Sequence, residues 1–444
     1  MTESAGTEPL GVGIIGLGTV GSGVARVLLE HPERMQRRAG RPVVLRKAVV
    51  RDLSRSRGIE LPAGMLTDQV DEVLNDPETG LVVELIGGLS PAREFVERAL
   101  KAGKDVVTAN KALIYEHGDA LCALAREQGK TIAFEAAVAA GVPIIGSVGQ
   151  ALAANQITGI EAVLNGTSNF ILTEMSHNGL PYDAAVQLAQ ERGYAEADPS
   201  MDVDGTDAAH KLVILTQLAF GTRVPLDAFI RQGIDTLELA DLQYARELGY
   251  RVKLLAVARI RNGLLEMHVE PTLIRRGHPM STIEDVYNRI QIDGDVVGRV
   301  WFSGMGAGQA ATASAVVADL IDTASGRTRL NFPLLDLWHQ REPVPVLPAD
   351  ELSRRYYLRY NVIDRPHMMA DVTDILGRQG ISIASVMQHE APEIDCTSDS
   401  DEEPIVPLVI MTHRTTEGQM RSADREIAQL QAVRMPRVRM PVDG

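Results

Sequence analysis

Residues 11–21 read Gly-Val-Gly-Ile-Ile-Gly-Leu-Gly-Thr-Val-Gly, and they constrain the fold more than any other part of the chain. A short apolar run leads into Gly16, Gly18 and Gly21, after which Val24, Val27 and Leu28 recur at helical spacing. The spacing predicts strand, glycine turn and helix. In such a unit the first glycine allows the tight turn, the second lets backbone approach a pyrophosphate, and the third lets the helix pack on the strand. The phosphate rests on the helix N-terminus. GxGxxG by itself is a weak signal, because a chance glycine turn can carry it; its place between a strand and a helix makes it a dinucleotide site.

The text that follows keeps the same alternation. Apolar runs at 43–50, 81–86 and 105–108 are separated by helical stretches, and Ser90-Pro91 reads as an N-cap with proline at N1. A parallel, doubly wound sheet is expected. Arg51-Asp52 stands at the end of the second run. An acidic residue there grips the ribose 2′-hydroxyl of NAD, whereas a guanidinium matches a 2′-phosphate; Arg51 favours NADP(H), and Asp52 leaves NAD(H) open. Lys111 closes Thr-Ala-Asn-Lys at the carboxyl end of 105–108, where open α/β sheets bind ligands, although an exposed lysine opening the next helix reads the same way. Residues 134–143 form a small-residue turn whose carbonyls could face a cation or could simply pack closely.

From about 150 to 320 the glycine fingerprint is gone, and a second domain carrying substrate chemistry is expected. It contains Glu196, Asp198, Asp202, Asp204 and Asp207 in a Gly/Pro-punctuated loop. Such carboxylates repel one another unless a cation, a substrate ammonium or a lysine neutralises them. Helical periodicity from Thr206, with Gly221 as its stop, places Asp207 and Lys211 one turn apart, which is also how an ordinary i,i+4 ion pair looks. Residues 302–308 offer glycines for close approach to a ligand or for tight packing. Pro343 to Pro348 reads as a linker. Beyond it, strands and amphipathic helices fall in β-α-β-β-α-β order, with Thr416 and Gln419 as a capping box and an acidic connection from Ala391 to Pro404.

Composition narrows the setting. A 444-residue chain with 45% hydrophobic residues holds two or three domains, and a net charge of −15 disfavours nucleic acid and anionic membranes as partners. Cys122 and Cys396, the two cysteines, support neither a disulfide framework nor a cysteine metal site. With no leader-like N-terminus and no apolar run of membrane-spanning length, a cytoplasmic protein is expected.

Taken together, the segments resemble homoserine dehydrogenase over essentially the whole chain, with an ACT-type domain at the C-terminus. The resemblance rests on Gly16–Gly21, Glu84-Leu-Ile-Gly-Gly88, 103–111, Glu135-Ala-Ala-Val138, Asn165-Gly-Thr-Ser-Asn169, Glu196-Ala-Asp-Pro199, Asp207-Ala-Ala-His-Lys211 and Gly304-Met-Gly-Ala-Gly308, in that order. It implies reversible NAD(P)-dependent reduction of L-aspartate 4-semialdehyde to L-homoserine, on the route to threonine, methionine and isoleucine. Lys211 would be the proton donor, a role that suits a lysine of lowered pKa. Lys111 would be a second cation beside the carbonyl and Asp207 an orienting group, while Glu196, Asp202 and Lys211 would hold the substrate. Gly16, Gly18, Thr19, Val20, Gly21, Arg51, Lys111, Gly306 and Gly308 would contact the dinucleotide. Backbone oxygens of Glu135, Val138, Ala140 and Val142 would bind a structural monovalent cation, sodium.

The implied architecture is α/β. A Rossmann-like domain spans 1–150, with 305–340 packing back onto it. An α+β catalytic and dimerisation domain spans 151–320, a helix and linker 321–350, and a βαββαβ ACT domain 352–444. A homodimer or homotetramer is implied, and an amino-acid effector is a possible partner. Asp364-Arg-Pro-His367 departs from the Asp-x-Pro-Gly of effector-binding ACT loops, placing His367 where glycine would leave room. Two other readings of the residues stay open: another amino-acid semialdehyde oxidoreductase, and a sensor that binds dinucleotide and amino acid without turnover.

Overall fold

The computed structural model describes residues 8–334, 342–389 and 404–443; the expected acidic connection up to residue 403, Cys396 included, lies outside them. The chain forms two compact units. One comprises Met1–Ile160, His210–Val224 and Tyr287–Val344, the other Glu161–Ala209, Pro225–Val286 and Pro345–Gly444.

The first unit is built on six parallel strands in the order Leu66–Thr67, Val43–Val49, Leu10–Ile15, Thr79–Glu84, Asp105–Thr108 and Ile132–Ala133. The order reverses beside Leu10–Ile15, where the crevice of a doubly wound sheet opens. Val12, Ile14, Leu81 and Val83 are fully buried because helices cover both faces. Helix Gln309–Ala324 sends Ala313, Val316 and Leu320 into the same core and packs on helix Thr19–Glu30. Ser90 does not cap the next helix. That helix is Ala92–Lys101, its N-cap is Pro91, and no side chain caps it.

The second unit contains a mixed sheet. Tyr250–Arg261 and Leu264–Arg275 form an antiparallel hairpin through Asn262-Gly263, both left-handed, as a tight hairpin turn requires. Strand Val433–Asp443 then pairs in parallel with Leu264–Arg275 and antiparallel with Ser353–Ile363, which in turn pairs with Ile405–Thr412, and that strand with Ile383–Gln388. The last four strands, with helices Met368–Arg378 and Glu417–Ile427, make the expected β-α-β-β-α-β module, and the capping box of Thr416 and Gln419 is present. The proline-rich linker is not a free spacer. Leu265 N–H donates to Pro345 at 2.8 Å and Leu347 N–H to Leu265 at 2.9 Å, so residues between the prolines still supply edge hydrogen bonds.

Buried charge runs through this sheet. Glu266, His268 and Glu270 project from one face of their strand, and His268 Nδ1 lies 3.1 Å from Glu270. Arg354 contacts Glu270 and reaches Glu417 at 3.4 Å; Arg439 meets Glu417 at 2.8 Å; Arg259 and Arg261 flank Glu266. Burial by itself would push both carboxyls up. For Glu270 the Arg354 guanidinium and His268 outweigh it, and for Glu266 His268 and the two arginines do, so each sits at about 2. A carboxyl depressed in the folded state stabilises it fully above the unfolded value near 4.5, and that stability is lost as pH falls towards 2. Far-ultraviolet melting curves should therefore show the midpoint falling steeply between about pH 5 and pH 2, and more gently in a Glu270→Gln variant.

Candidate active site

Gly16 has φ of +102°, a conformation glycine adopts without strain, and a Cβ there would lie 2.8 Å from Leu85 and Ile86. A Cβ on Gly21 would strike the Gly16 carbonyl at 2.1 Å, whereas one on Gly18 would meet nothing within 4 Å. The turn is thus closed behind and open in front. Helix Thr19–Glu30 starts from Gly18 with no side-chain cap and no acidic residue in its first turn, leaving its first amides for an anion. Gln309 Nε2 donates to Thr19 at 2.8 Å, which ties the Gly306–Gly308 end of the chain to this loop. Gly306 has its own steric reason: a Cβ would fall 2.0 Å from the side chain of Asn288, which is fully buried.

Lys111 is the first residue of helix Lys111–Glu127. Buried Glu84 accepts from the Ile86 and Gly87 amides at 2.9 and 3.2 Å and from Thr108 Oγ1 at 2.7 Å. Thr108 accepts from Asn110 N–H at 3.0 Å; Asn110 caps the helix at Leu113 and donates to Gly88 at 2.7 Å. Two strand ends and the helix start are thereby locked around Lys111. Glu84, Thr108 and Asn110 belong to motifs visible in the sequence, yet their role was not. The signal was a carboxylate ending an apolar strand, where a buried charge requires partners.

Lys211 lies on helix Thr206–Phe220, which ends at left-handed Gly221. Beside it His210 stacks on Tyr115 at 4.3 Å, and Gln217 bonds Asp119, so the helix bearing Lys211 is fixed to the helix that Lys111 opens. Asp207 is one turn before Lys211.

The acidic run separates into distinct jobs. Asp198 accepts from the Ser200 amide at 3.1 Å and Asp204 from the Thr206 amide at 2.8 Å; both are local turns, and the text read as one loop contains the short helix Ser200–Val203. Hydrogen bonds from Ser200 hold the Asp198 carboxyl low. Asn165 Nδ2 donates to Asp202 and to buried Asp207, each at 2.8 Å, while its Oδ1 caps helix Gly166–Asn178 at Ser168. Glu196 stays exposed. One amide thus gathers two carboxylates that would otherwise repel. Asn165→Ala should remove the cap and this bridge, lowering stability by about 1–2 kcal/mol, as thermal melting would read.

Arg51 is exposed just past strand Val43–Val49, whereas Asp52 turns into its own loop, accepting from Ser54 N–H at 2.8 Å and Ser54 Oγ at 2.6 Å. At 135–142, the Glu135 carboxylate takes the Ile145 and Gly146 amides at 2.9 and 2.8 Å, and burial pushes its carboxyl up. Ala140 and Gly141 N–H donate to Gly306 and Met305. Among the described residues no amide donates to the Val138 or Ala140 carbonyls, whereas Val142 accepts from Ile144 N–H at 2.7 Å and Glu135 from Val138 N–H at 3.4 Å.

A sheet of this order, an uncapped glycine-rich helix start at its edge of reversal, and Lys111 just past a strand's carboxyl end define an NAD(P)-dependent oxidoreductase. The family models described as "Homoserine dehydrogenase", "Homoserine dehydrogenase, NAD binding domain" and "ACT domain" match residues 143–321, 16–135 and 356–431. The chain belongs to the homoserine dehydrogenase family. It is 41% identical over 440 residues to the homoserine dehydrogenase of Pseudomonas aeruginosa, covering 98% of this chain and 99% of that one. A crystal structure of a homoserine dehydrogenase from Thiobacillus denitrificans has a TM-score of 0.86 at 40% identity, with 99% of each chain covered. A hyperthermophilic archaeal homoserine dehydrogenase in complex with NADPH covers 71% of this chain and 97% of its own, with a TM-score of 0.60 at 29% identity. The activity is NAD(P)-dependent interconversion of L-aspartate 4-semialdehyde and L-homoserine, and the implied α/β and ACT architecture is present. Among the described residues no helix is long and apolar enough to cross a membrane.

Proposed function

We propose that Lys211 is the proton donor of the reduction and the base of the reverse reaction, with Lys111 as the second cation at the reacting oxygen. Their support is the pairing of their two helices through His210 and Tyr115 and the rigid network under Lys111. When bound, the dinucleotide supplies a hydride to the aldehyde carbon. Lys211 gives its proton to the oxygen as negative charge develops there, Lys111 stabilises that charge, and Asp207 orients the lysine that follows it on the helix. Asp202, held by Asn165, and exposed Glu196 receive the substrate ammonium.

Gly16, Gly18, Thr19, Val20, Gly21, Gly306 and Gly308 cradle the nucleotide in this reading, and Arg51 takes a 2′-phosphate, so NADP(H) is preferred. Asp52, already engaged with Ser54, is a poor partner for a ribose hydroxyl, and the archaeal relative carries NADPH. A structural sodium ion suits the carbonyls of Val138 and Ala140, with Glu135 and Val142 completing the set. The domains divide as the family resemblance implies, in a cytoplasmic homodimer or homotetramer. At the ACT module a cavity of about 490 Å³ lies beside Asp364, His367 and Met368, and His367 adopts φ of +74° where glycine would be unstrained. An amino-acid effector would bind there, and initial rates with added L-threonine read its effect. The central experiment follows nicotinamide absorbance with L-homoserine and either NADP or NAD. Turnover should favour NADP, and Arg51→Ala should lower that preference at least tenfold; an unchanged ratio removes Arg51 from the 2′-phosphate.

A further inference from the structure

The second unit holds a cavity of about 280 Å³ between helices Gly166–Asn178 and Leu239–Glu247 and strand Tyr250–Arg261. Its walls carry Arg246, Arg251, Arg276, Lys253 and His177, and none of its lining residues is a carboxylate. Glu284 lies 2.7 Å from Arg251 Nη1 and 3.1 Å from His177 Nε2. Arg246 and Arg276 are exposed, and neither makes an ion pair among the described residues. Of the three arginines on this cavity, only Arg251 has a carboxylate partner among the described residues, in a chain whose overall charge is −15. Such a cluster is self-repulsive until an anion enters it.

We propose that this cavity binds a small, multiply charged oxyanion, with Arg246 and Arg276 as its direct partners. Guanidiniums pair bidentately with phosphate or carboxylate oxygens, and a dianion neutralises two of them at once. A zwitterionic amino acid fits less well, because its ammonium would face the arginines with Glu284 already engaged. The cavity is also hydrogen-bonded to helix Gly166–Asn178. Lys253 Nζ donates to Asn169 Oδ1 at 2.8 Å, and Asn169 lies on the helix that Asn165 caps while it holds Asp202 and Asp207.

Calorimetric titration of inorganic phosphate into the full-length protein, saturated with NADP so that the nucleotide's phosphate positions are filled, tests this site. Succinate, run in parallel, separates phosphate-type from dicarboxylate recognition. Binding of either anion should weaken at least tenfold in Arg246→Ala/Arg276→Ala, whose exposed side chains leave folding and anion-free homoserine oxidation unchanged. Absence of binding to the parent protein, or equal affinity in the double variant, overturns the proposal.

Discussion

Lys211→Ala is expected to lower homoserine-dependent reduction of NADP by roughly 10²–10⁴-fold, the usual loss when a positioned proton-transfer group is removed. In the proposed mechanism the Lys211 ammonium moves a proton at the oxygen while the hydride moves at carbon. The variant should bind NADP as tightly as the parent, because the glycine turn, Arg51 and the helix Thr19–Glu30 are untouched; nucleotide fluorescence titration measures that directly. Truncating an intermediate-exposure lysine on a helix tied down by His210 and Gln217 should not unfold it. Lys211→Arg sharpens the test. Arginine keeps the charge but does not release its proton at any working pH, so it should fail as a base in homoserine oxidation nearly as badly as alanine. Activity within tenfold of the parent in both variants would take the proton-transfer role away from Lys211.

The glycine turn, the parallel sheet and the C-terminal module were legible because each follows from local periodicity and turn chemistry, and the capping box of Thr416 and Gln419 is a local signal too. Lys111 and Lys211 were legible as the lysines of the motifs that carried the family resemblance. What pattern could not supply was partnership across sequence distance. Nothing near Glu84 says that it meets Thr108, and nothing near Asn165 says that it will sit on Asp202 and Asp207, some forty residues on. The acidic run misled in one respect, because Asp198 serves a turn of its own, and Asp204 serves a turn and an ion pair with Arg231 at 3.1 Å. Ser90 misled in another, since a serine before proline marks a helix start only if the chain enters at the right angle, and here Pro91 occupies the cap.

The largest stability effect should come from Asp241. It is fully buried, and Arg359, 1% exposed, donates to its two oxygens at 2.6 and 2.9 Å; Tyr357 donates at 3.0 Å, and the Glu238 amide at 2.9 Å completes a capping box on helix Leu239–Glu247. Burial pushes the Tyr357 hydroxyl well up, so it remains a donor. Asp241→Ala leaves the buried guanidinium with only half-exposed Glu238 at 2.9 Å and Asn361 at 3.0 Å, strands a buried hydroxyl and uncaps the helix, a loss of about 3–5 kcal/mol and roughly 10 °C in melting temperature. Paired removal should behave differently. With Asp241→Leu and Arg359→Met together, no charge is left alone, and the double variant should be more stable than Asp241→Ala despite carrying two changes. Because Arg359 lies on the first strand of the C-terminal module and the helix it grips packs on Gly166–Asn178, this pair also fastens that module to the helix Asn165 caps. A melting shift under 2 °C for Asp241→Ala would mean that water or a relaxed Arg359 replaces the carboxylate, and that the module is held by its strand pairing alone.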